Sequence, residues 1–383
     1  MTEDVVIFEE INSNNGMRIG HATLNKASAL NALNIDMIRL LTPKLKQWQQ
    51  DPTIAMVVLD GVGDKAFCAG GDVVAMHDAM LSAGGELPAS LRSFFTEEYQ
   101  LDYLIRLYSK PFLVWGNGIV MGGGLGLMSG ASHRIVTASS RLAMPEISIG
   151  LYPDVGGSWF LNKMPEACGL FLGLTGASIN AADALYVQLA DYFVAQESKE
   201  IFLAQLVEID WQGSASADHT QLNKVCETFH DADAGALPAG NVQAHQEVIK
   251  PLAAAQSAVE VAQLIAQLDA GEDKWLSRAQ KTLAAGSPLT AHLVYEQLKR
   301  GKDLSLEACF QVELIMSCRC GEMGEFQEGV RALLIDKDMQ PKWLYKNIGD
   351  VPKSVVEHFF SAPWSAELHP LYSLGTGDNN EQR

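Results

Sequence analysis

The sequence predicts an α/β fold, because short apolar strands alternate with helices over the first 200 residues. Two continuous apolar runs, Ala55–Asp60 and Pro111–Trp115, have the composition of strands that are buried on both faces. The pattern between them predicts a helix over about 93–109. Repeated strand–helix units of this kind favour an α/β domain with right-handed crossovers.

The chain begins with a predicted β-hairpin. Two strand-like runs, Val5–Glu10 and Met17–Leu24, flank the turn residues Asn14, Asn15 and Gly16. A tight turn between two such runs indicates that the strands pair with each other.

A helix predicted over about 35–50 follows the hairpin. Asn34 is its expected N-cap, and Pro43 is expected to kink it. Further strands are predicted at 133–138 and 142–144, after which the pattern becomes helical.

Three regions are predicted along the chain. Residues 1–200 form the α/β catalytic core, 201–275 a helical or irregular insertion or linker, and 276–383 a helical C-terminal region that packs on the core.

Charge and cysteine usage restrict the function classes. The formal net charge of −18 disfavours nucleic acid and anionic membrane surfaces as partners. Among six scattered cysteines only Cys318 and Cys320 lie close together, which indicates neither a disulfide framework nor a metal site. Reduced thiols and the absence of a recognisable targeting peptide predict a cytoplasmic protein.

Two glycine-rich turns each follow a predicted strand. One is Phe67–Asp72 (FCAGGD) and the other is Met121–Gly126 (MGGGLG). Glycine lets the backbone approach a ligand closely, and a helix N-terminus presents free N–H groups. The turns are therefore either tight structural turns, with Asp72 as a helix cap, or the two halves of an oxyanion hole.

Two carboxylates, Glu146 and Asp154, lie eight residues apart among apolar neighbours and turn residues. A lone loop acid is usually a solvated surface residue. Apolar surroundings instead raise the pKa of a carboxyl and make it useful as a base, an acid or a nucleophile. We therefore predict that both act in catalysis.

Glu98 is a third candidate, because it interrupts an otherwise apolar helical stripe that includes Phe94 and Leu101. A carboxyl on a buried face needs a partner. Glu98 is therefore either hydrogen-bonded within the core or part of a site, and the sequence leaves both readings open.

These motifs together resemble the crotonase (enoyl-CoA hydratase/isomerase) superfamily. The resemblance is carried in order by Ala29–Leu33, Cys68–Asp72, Gly116–Gly118, Gly122–Gly124, Pro145–Glu146 and Gly150. It implies a ClpP-like spiral of ββα units with a helical C-terminal region. It also implies that the amides of Gly71 and Gly123 form an oxyanion hole for the carbonyl of an acyl-CoA, and that Ala27, Ala29 and Asp72 contact the CoA.

Two positions depart from the hydratase pattern. Gly126 occupies the place of the first hydratase glutamate, and Asp154 stands where hydratases carry glycine. The altered set is similar to the 3-hydroxyisobutyryl-CoA hydrolases of valine breakdown. That similarity is carried by the strings FFTEEY, AMPE, GLYPDVGG, EGVRALLIDKD and PKW, which begin at residues 94, 143, 150, 328 and 341.

The resemblance implies hydrolysis of a short hydroxyacyl-CoA thioester, with 3-hydroxyisobutyryl-CoA as the expected substrate. The implied substrate-binding set is Glu98, Gly123, Glu146 and Asp154. No cofactor is implied, because CoA is part of the substrate, and a homo-oligomer is possible. An enoyl-CoA hydratase or isomerase is the first alternative function, and a non-catalytic acyl-CoA-binding protein is the second.

Overall fold

The structure is a computed structural model that describes residues 4–375. Residues 1–3 of the predicted core and 376–383 of the predicted C-terminal region lie outside that range. The chain divides into two compact units, each assembled from segments that are distant in sequence. Unit 1 consists of Met1–Gly71, Leu101–Leu142 and Ile179–Gln243, and unit 2 of Asp72–Gln100, Ala143–Ser178 and Ala244–Arg383.

The predicted regions 1–200, 201–275 and 276–383 follow the order of the chain instead, and their bounds stay a prediction.

Nine strands are present in the described part of the chain. They are β1 Val6–Asn12, β2 Arg18–Leu24, β3 Ile54–Gly61, β4 Ala66–Cys68, β5 Phe112–Gly116, β6 Ile119–Met121, β7 His133–Val136, β8 Arg141–Ala143 and β9 Tyr192–Phe193. A six-stranded sheet has the order β1-β2-β3-β5-β7-β9, and a three-stranded sheet has the order β4-β6-β8. Only the β1–β2 pair of the larger sheet is antiparallel.

Sixteen α-helices lie in the same described range. They are α1 Ile35–Gln50, α2 Val73–Ala83, α3 Ala89–Arg106, α4 Gly123–Gly130, α5 Gly157–Lys163, α6 Cys168–Thr175, α7 Ala181–Tyr186, α8 Lys199–Glu208, α9 Ala215–Asp233, α10 Gln246–Ile249, α11 Ala258–Gln267, α12 Lys274–Ala285, α13 Pro288–Gly301, α14 Leu306–Glu322, α15 Glu325–Val330 and α16 Lys353–Phe359. None of the helices within residues 4–375 has both the length and the apolar character needed to cross a bilayer.

The local sequence patterns give the early elements correctly. The hairpin, the helix over 35–50 and the two doubly buried strands are confirmed, with small shifts at their ends. The Asn34 side chain caps α1 by accepting the main-chain N–H of Met37 at 2.9 Å. The helix predicted over 93–109 is α3, which begins earlier, at Ala89.

One face of the six-stranded sheet carries the main core of unit 1. Alternate residues of β3 and β5 point to this face, as the two-residue period of a strand requires. They pack against α8 and α9, whose contacts are apolar. The largest members of this cluster are Met56, Leu113, Trp115, Phe202, Leu206, Trp211 and Leu222. This packing holds α8 and α9 against the six-stranded sheet.

Candidate active site

The two glycine turns follow adjacent parallel strands. β4 pairs with β6 in parallel, with Ala66 opposite Ile119 and Cys68 opposite Val120. The carboxyl ends of parallel strands lie at the same sheet edge, so the turn containing Gly71 and the turn containing Gly123 extend from one edge.

Both turns also need glycine for steric reasons. Gly70 adopts a φ of +111°, and a Cβ there would lie 3.4 Å from the carbonyl oxygen of Met121. A Cβ on Gly124 would lie only 2.3 Å from the carbonyl oxygen of Cys68, which is shorter than any allowed contact. The start of α4 is thus held tightly against the end of β4.

The predicted CoA loop packs on the first turn. Leu33 donates its main-chain N–H to the Gly70 carbonyl oxygen at 2.8 Å and forms an isolated bridge with Gly71. Ala27 and Ala29 bound a short 3-10 turn with no buried residue. The geometry therefore leaves that turn accessible, and its contact with CoA stays a prediction.

Asp72 caps α2, since its carboxylate accepts the main-chain N–H of Ala75 at 3.3 Å. The sequence offered this structural role beside the CoA-binding one. A capping carboxylate can also contact a ligand, so the predicted CoA contact of Asp72 remains a prediction.

The predicted carboxylates Glu146 and Asp154 belong to unit 2, and both are buried. Glu146 opens the 3-10 turn Glu146–Ile149 after β8, and each of the two carboxyl residues is only 4% exposed. The Glu146 Oε2 atom has no hydrogen-bond partner among residues 4–375. Burying a polar oxygen without a partner is costly, and such oxygens often lie where a substrate binds.

Both carboxyl pKa values are raised. Burial raises the pKa of Glu146 well above its ordinary value, and repulsion from Asp154 adds to this, against a smaller lowering by its own main-chain amide. Burial also raises the pKa of Asp154, although hydrogen bonds from Tyr99 and from its own amide oppose the shift. No cation of the described residues lowers either pKa. The pair can therefore keep a proton near neutral pH, which suits acid–base chemistry.

Glu98 lies on α3 and is 2% exposed, as its position on the apolar stripe predicts. Its charge contributes to the raised pKa of the neighbouring Tyr99, after burial and Asp154. Glu98 is thus in the electrostatic neighbourhood of the carboxyl pair, and its role in substrate binding stays a prediction.

Four residues that the sequence did not single out surround Asp154. The Tyr99 hydroxyl lies 2.7 Å from Asp154 Oδ2 and 2.7 Å from the Ser317 Oγ atom. Ser317 Oγ lies 2.8 Å from the Tyr152 hydroxyl, which donates to the main-chain carbonyl of Glu313. These contacts make a continuous chain of oxygens that starts at Asp154, and we call it the hydroxyl relay.

The side chain of Glu313 holds the turn that follows Asp154. Its two carboxyl oxygens accept the main-chain N–H groups of Gly156 and Ser158, each at 2.8 Å. Val155 between Asp154 and these amides has a φ of +52°, which is strained for a β-branched residue. Burial raises the pKa of Glu313 to about 8, against the lowering by these hydrogen bonds. These two hydrogen bonds, which we call the Glu313 clamp, therefore fix the backbone turn that carries Asp154.

One sequence signal could have found Glu313. It interrupts the buried face of α14 between Phe310 and Ser317, just as Glu98 interrupts the stripe of α3. The partners of the relay had no such signal, because 218 positions separate Tyr99 from Ser317.

Comparison with known proteins decides the family. A sequence profile of the enoyl-CoA hydratase/isomerase family matches residues 19–360. The chain belongs to this family.

Curated relatives of this family member share one activity in their names. A 3-hydroxyisobutyryl-CoA hydrolase of mitochondria from Danio rerio is 37% identical over 358 residues, which cover 93% of this chain and 89% of the relative. The protein of the same name from Homo sapiens is 33% identical over 354 residues, which cover 91% and 88%. The predicted resemblance to the crotonase superfamily and its hydrolase subfamily is confirmed.

Solved structures of the family confirm the fold class. An enoyl-CoA hydratase from Rhodobacter sphaeroides 2.4.1 has a TM-score of 0.79 at 30% identity, covering 94% of this chain and 98% of the other. A carnitinyl-CoA dehydratase from Mycobacterium thermoresistibile has a TM-score of 0.77 at 29% identity, covering 92% and 96%. The α/β crotonase fold with a helical C-terminal region therefore extends over nearly the whole chain.

The prediction of a cytoplasmic protein is wrong. The names of the relatives from fish, frog and human all include the word mitochondrial. The inference failed because free thiols exclude only the oxidising compartments and do not single out the cytoplasm among the others. The six cysteines are buried thiols outside any disulfide, and this does not distinguish one reducing compartment from another.

Proposed function

We propose that this protein hydrolyses short-chain hydroxyacyl-CoA thioesters, with 3-hydroxyisobutyryl-CoA as the preferred substrate and 3-hydroxyisobutyrate and free CoA as products. The observation that carries the proposal is the 33–37% identity, over about 90% of both chains, to relatives named for this reaction. Such a reaction belongs to valine breakdown and needs no cofactor besides the CoA of the substrate.

The proposed mechanism assigns one role to each part of the site. The amides of Gly71 and Gly123 bind the thioester oxygen, and one donor of this kind is typically worth about 3–4 kcal/mol in the transition state. Glu146 attacks the carbonyl carbon or activates a water molecule for attack. Asp154 assists the departure of the thiol, and Glu98 holds the hydroxyl group of the acyl chain.

The raised pKa values of the carboxyl pair support this assignment. The two carboxyls lie in a buried site and repel each other, so they titrate as a coupled pair at higher pH than free carboxyls do. One member is then ionised and able to attack or to accept a proton, while the other is able to donate one. Hydrolysis of a thioester needs both of these acts.

The alternative is an enoyl-CoA hydratase or isomerase on the same fold, and the names of the two structural relatives, a hydratase and a dehydratase, favour it. Gly126 weighs against it, because a glycine has no side chain with which to act as the missing acid–base partner. Incubation with 3-hydroxyisobutyryl-CoA and with crotonyl-CoA separates the two functions. We expect free thiol from the hydroxyacyl substrate only; hydration of crotonyl-CoA without thiol release would favour the alternative.

The two possible roles of Glu146 are separated by isotope labelling. Under single turnover in heavy-oxygen water, a covalent anhydride leaves label in the Glu146 carboxyl, whereas direct attack by water leaves none. A Glu146→Gln variant that cleaves the thioester at the wild-type rate would exclude both roles, whereas wild-type protein that binds the thioester without cleaving it would favour a non-catalytic acyl-CoA-binding protein.

The oxyanion hole is tested through a neighbouring glycine. In Gly124→Ala the new Cβ would stand 2.3 Å from a backbone oxygen, so α4 must move and carry the Gly123 amide with it. We expect kcat to fall roughly 10²-fold. The matched control is Gly235→Ala, whose new Cβ meets no atom within 4 Å among the described residues. Equal rates for the two variants would remove Gly123 from the mechanism.

The proposal also includes assembly of the protein as a homo-oligomer, since crotonase relatives commonly assemble into oligomers. Sedimentation velocity of the full chain, with and without CoA, measures the assembly directly, and a single monomeric species over the accessible concentrations would refute it.

A further inference from the structure

The turn that carries Asp154 adopts a backbone conformation that needs support from other segments. Val155 has a φ of +52° and Gly156 a φ of +88°, so two successive residues lie in the left-handed region. A β-branched residue keeps such a conformation only where the surrounding structure enforces it. Within the turn, the Gly157 N–H donates to the Asp154 carbonyl at 2.8 Å. The two ends of the turn are held from outside.

The Glu313 clamp holds the end of the turn that follows Asp154. Its carboxyl oxygens accept the N–H groups of Gly156 and Ser158, and both of these amides lie beyond the strained residue. The residue before Asp154 is Pro153, which has a carbonyl oxygen but no N–H. The first end of the turn can therefore be held only by a hydrogen-bond donor.

Gln297 supplies that donor from α13. Its Nε2 atom donates to the Pro153 carbonyl and also to the Ser158 Oγ atom, the latter at 2.9 Å. The amide nitrogen carries two protons, and these two acceptors use both of them. Gln297 is 1% exposed, so bulk water does not compete for either proton. One buried side chain thus joins the two ends of the turn.

The neighbours of Gln297 also set the orientation of its amide group. If the amide were turned over, its oxygen would face the Pro153 carbonyl oxygen, and two acceptors would meet without a proton. In the orientation present, the Gln297 Oε1 atom is buried and has no hydrogen-bond partner within residues 4–375. A buried oxygen without a partner lowers stability. Folding alone would be served as well by an apolar side chain of the same length.

Ser158 connects Gln297 with the Glu313 clamp. Its Oγ atom accepts from Gln297, and its own hydroxyl proton serves the Glu313 carboxyl. Burial raises the pKa of Glu313 to about 8, and the hydrogen bond from the Ser158 hydroxyl is the largest effect that opposes this rise. All of these residues belong to unit 2. A single network therefore runs from α13 through the turn to α14.

We propose that Gln297 is a positioning residue for the hydrolysis, which fixes the Asp154 carboxyl in the active site by holding the Pro153 carbonyl and the Ser158 hydroxyl. The inference deepens the proposed function and rests on it for the reaction that Asp154 assists. Gln297 acts through the backbone of the turn and not on the substrate.

A small displacement of the turn is enough to matter. The Tyr99 hydroxyl lies 2.7 Å from Asp154 Oδ2, and a hydrogen bond of this length is lost when the atoms move apart by about 1 Å. Misplacing a reacting group by about 1 Å can lower a rate 10²-fold. Loss of Gln297 should therefore lower kcat more than it weakens substrate binding.

The first test replaces the amide of Gln297 with an unbranched apolar side chain. Gln297→Met removes both donated hydrogen bonds and the unpartnered oxygen but keeps the length of the side chain. We expect kcat for 3-hydroxyisobutyryl-CoA to fall roughly 10- to 10²-fold, while KM changes less than about threefold. The urea midpoint of unfolding should stay close to the wild-type value. A wild-type kcat in this variant would overturn the proposal.

Thr290→Val is the matched control. Thr290 lies on the same helix, is also 1% exposed, and has an Oγ1 atom without a hydrogen-bond partner in the described part of the chain. Valine replaces this hydroxyl with a methyl group of similar shape. The change is again from a buried polar group to an apolar one in α13, but it removes no hydrogen bond from the Asp154 turn. We expect wild-type kcat and KM.

Ser158→Ala interrupts the network at its centre. It keeps the Ser158 main-chain N–H for Glu313 and leaves the hydrogen bond from Gln297 to Pro153 in place. We therefore expect a smaller loss of kcat, roughly three- to tenfold, again with little change in KM. This variant decides the question if Gln297→Met does not fold, because a wild-type kcat would then show that the network does not position Asp154.

The second test measures Asp154 itself in the full-length protein without substrate. Carbon NMR of ¹³C-aspartate-labelled protein follows its carboxyl carbon through a pH titration, and Asp154→Asn assigns the signal. The hydrogen bond from Tyr99 lowers the pKa of Asp154, so loosening the turn should raise the titration midpoint, by roughly half a pH unit in Gln297→Met. Thr290→Val should leave the midpoint unchanged. A midpoint that stays the same or falls in Gln297→Met would refute a positioning role.

The two tests separate two kinds of failure. If the wild-type protein cleaves no hydroxyacyl-CoA thioester, the proposed function fails, while the NMR titration still decides whether Gln297 positions Asp154. If the wild-type protein cleaves the thioester and neither kcat nor the midpoint differs between Gln297→Met and Thr290→Val, the positioning role fails and the proposed function stands.

Discussion

Asp60 in unit 1 and Asp154 in unit 2 are equally buried, each 4% exposed, yet their pKa values move in opposite directions. Burial acts to raise both. At Asp60 this is outweighed by His21 Nε2 at 3.1 Å and Lys199 Nζ at 2.8 Å, which lower its pKa to about 2. Asp154 has no such cation and faces Glu146 instead.

The difference teaches that burial alone does not decide what a carboxyl can do. A carboxylate held by a lysine and a histidine, such as Asp60, stays ionised and stabilises the sheet. A carboxyl buried among other acids keeps two protonation states within reach, at a cost in stability, and can exchange a proton with a substrate. The following predictions test this contrast, and they run from the largest expected effect to the smallest.

Glu146→Gln should lower kcat for thioester hydrolysis roughly 10³-fold, because the amide can neither attack nor accept a proton at neutral pH. Thiol release under single turnover measures the effect without interference from product release. A loss of less than tenfold would place Glu146 with the structural carboxyls such as Asp60.

Asp60→Asn should lower the free energy of unfolding by about 2 kcal/mol, because it leaves the half-buried Lys199 without its counter-charge. Urea unfolding measures the loss, and Asp78→Asn, at an exposed site, is the control. In the wild-type protein this stabilisation is present above the ordinary carboxyl pKa and is lost as pH falls toward about 2, because the folded-state pKa is the lower one. An unchanged unfolding midpoint in Asp60→Asn would show that Asp60 does not stabilise the fold, and so would contradict its proposed difference from Asp154.

Glu313→Gln should lower the free energy of unfolding by about 2 kcal/mol, since the new NH₂ group would face one of the two amide N–H groups that the carboxyl now accepts. It should also lower kcat, because the strained turn at Val155 carries Asp154. The exposed Glu272→Gln is the control for both measurements. If stability falls without any change in kcat, the clamp serves folding alone.

Glu146→Gln should raise the free energy of unfolding at neutral pH by about 1 kcal/mol, since it removes a carboxyl that burial disfavours in its ionised form. The folded-state pKa is the higher one, so the native state binds more protons than the unfolded state and wild-type stability falls as pH rises through that range. The gain in stability should therefore vanish in acid, where the wild-type carboxyl is protonated in both the folded and the unfolded state. Unfolding curves at several pH values measure it, and a gain that persists in acid would point to packing instead.

Local sequence patterns predicted the secondary-structure elements that are long or that are bounded by clear turn or capping residues. The apolar runs of β3 and β5, the hairpin turn and the Asn34 cap each depend on neighbours in sequence. The short strands β4, β6 and β9 were not predicted, because two or three residues carry no measurable period. These short strands form because tertiary packing places them beside the strands with which they pair.

The residues of the candidate site also fall into those that the local sequence predicted and those that only the structure identified. Glu146 and Asp154 could be found because turn residues and apolar neighbours adjoin them, and Gly71 and Gly123 because glycines cluster there. The relay could not be found, since its partners are 55 to 218 positions apart and each is an ordinary residue in its own segment.

The sequence by itself therefore determined the family, the fold class, the glycine turns and the identity of the acidic pair, all of which are written in short motifs. Only the tertiary structure decided the charge state that each buried carboxyl favours. The reason is that a pKa depends on which charges and hydrogen-bond donors surround a group in space. At Asp60 distant segments supply a lysine and a histidine, and at Asp154 they supply hydroxyls and acids.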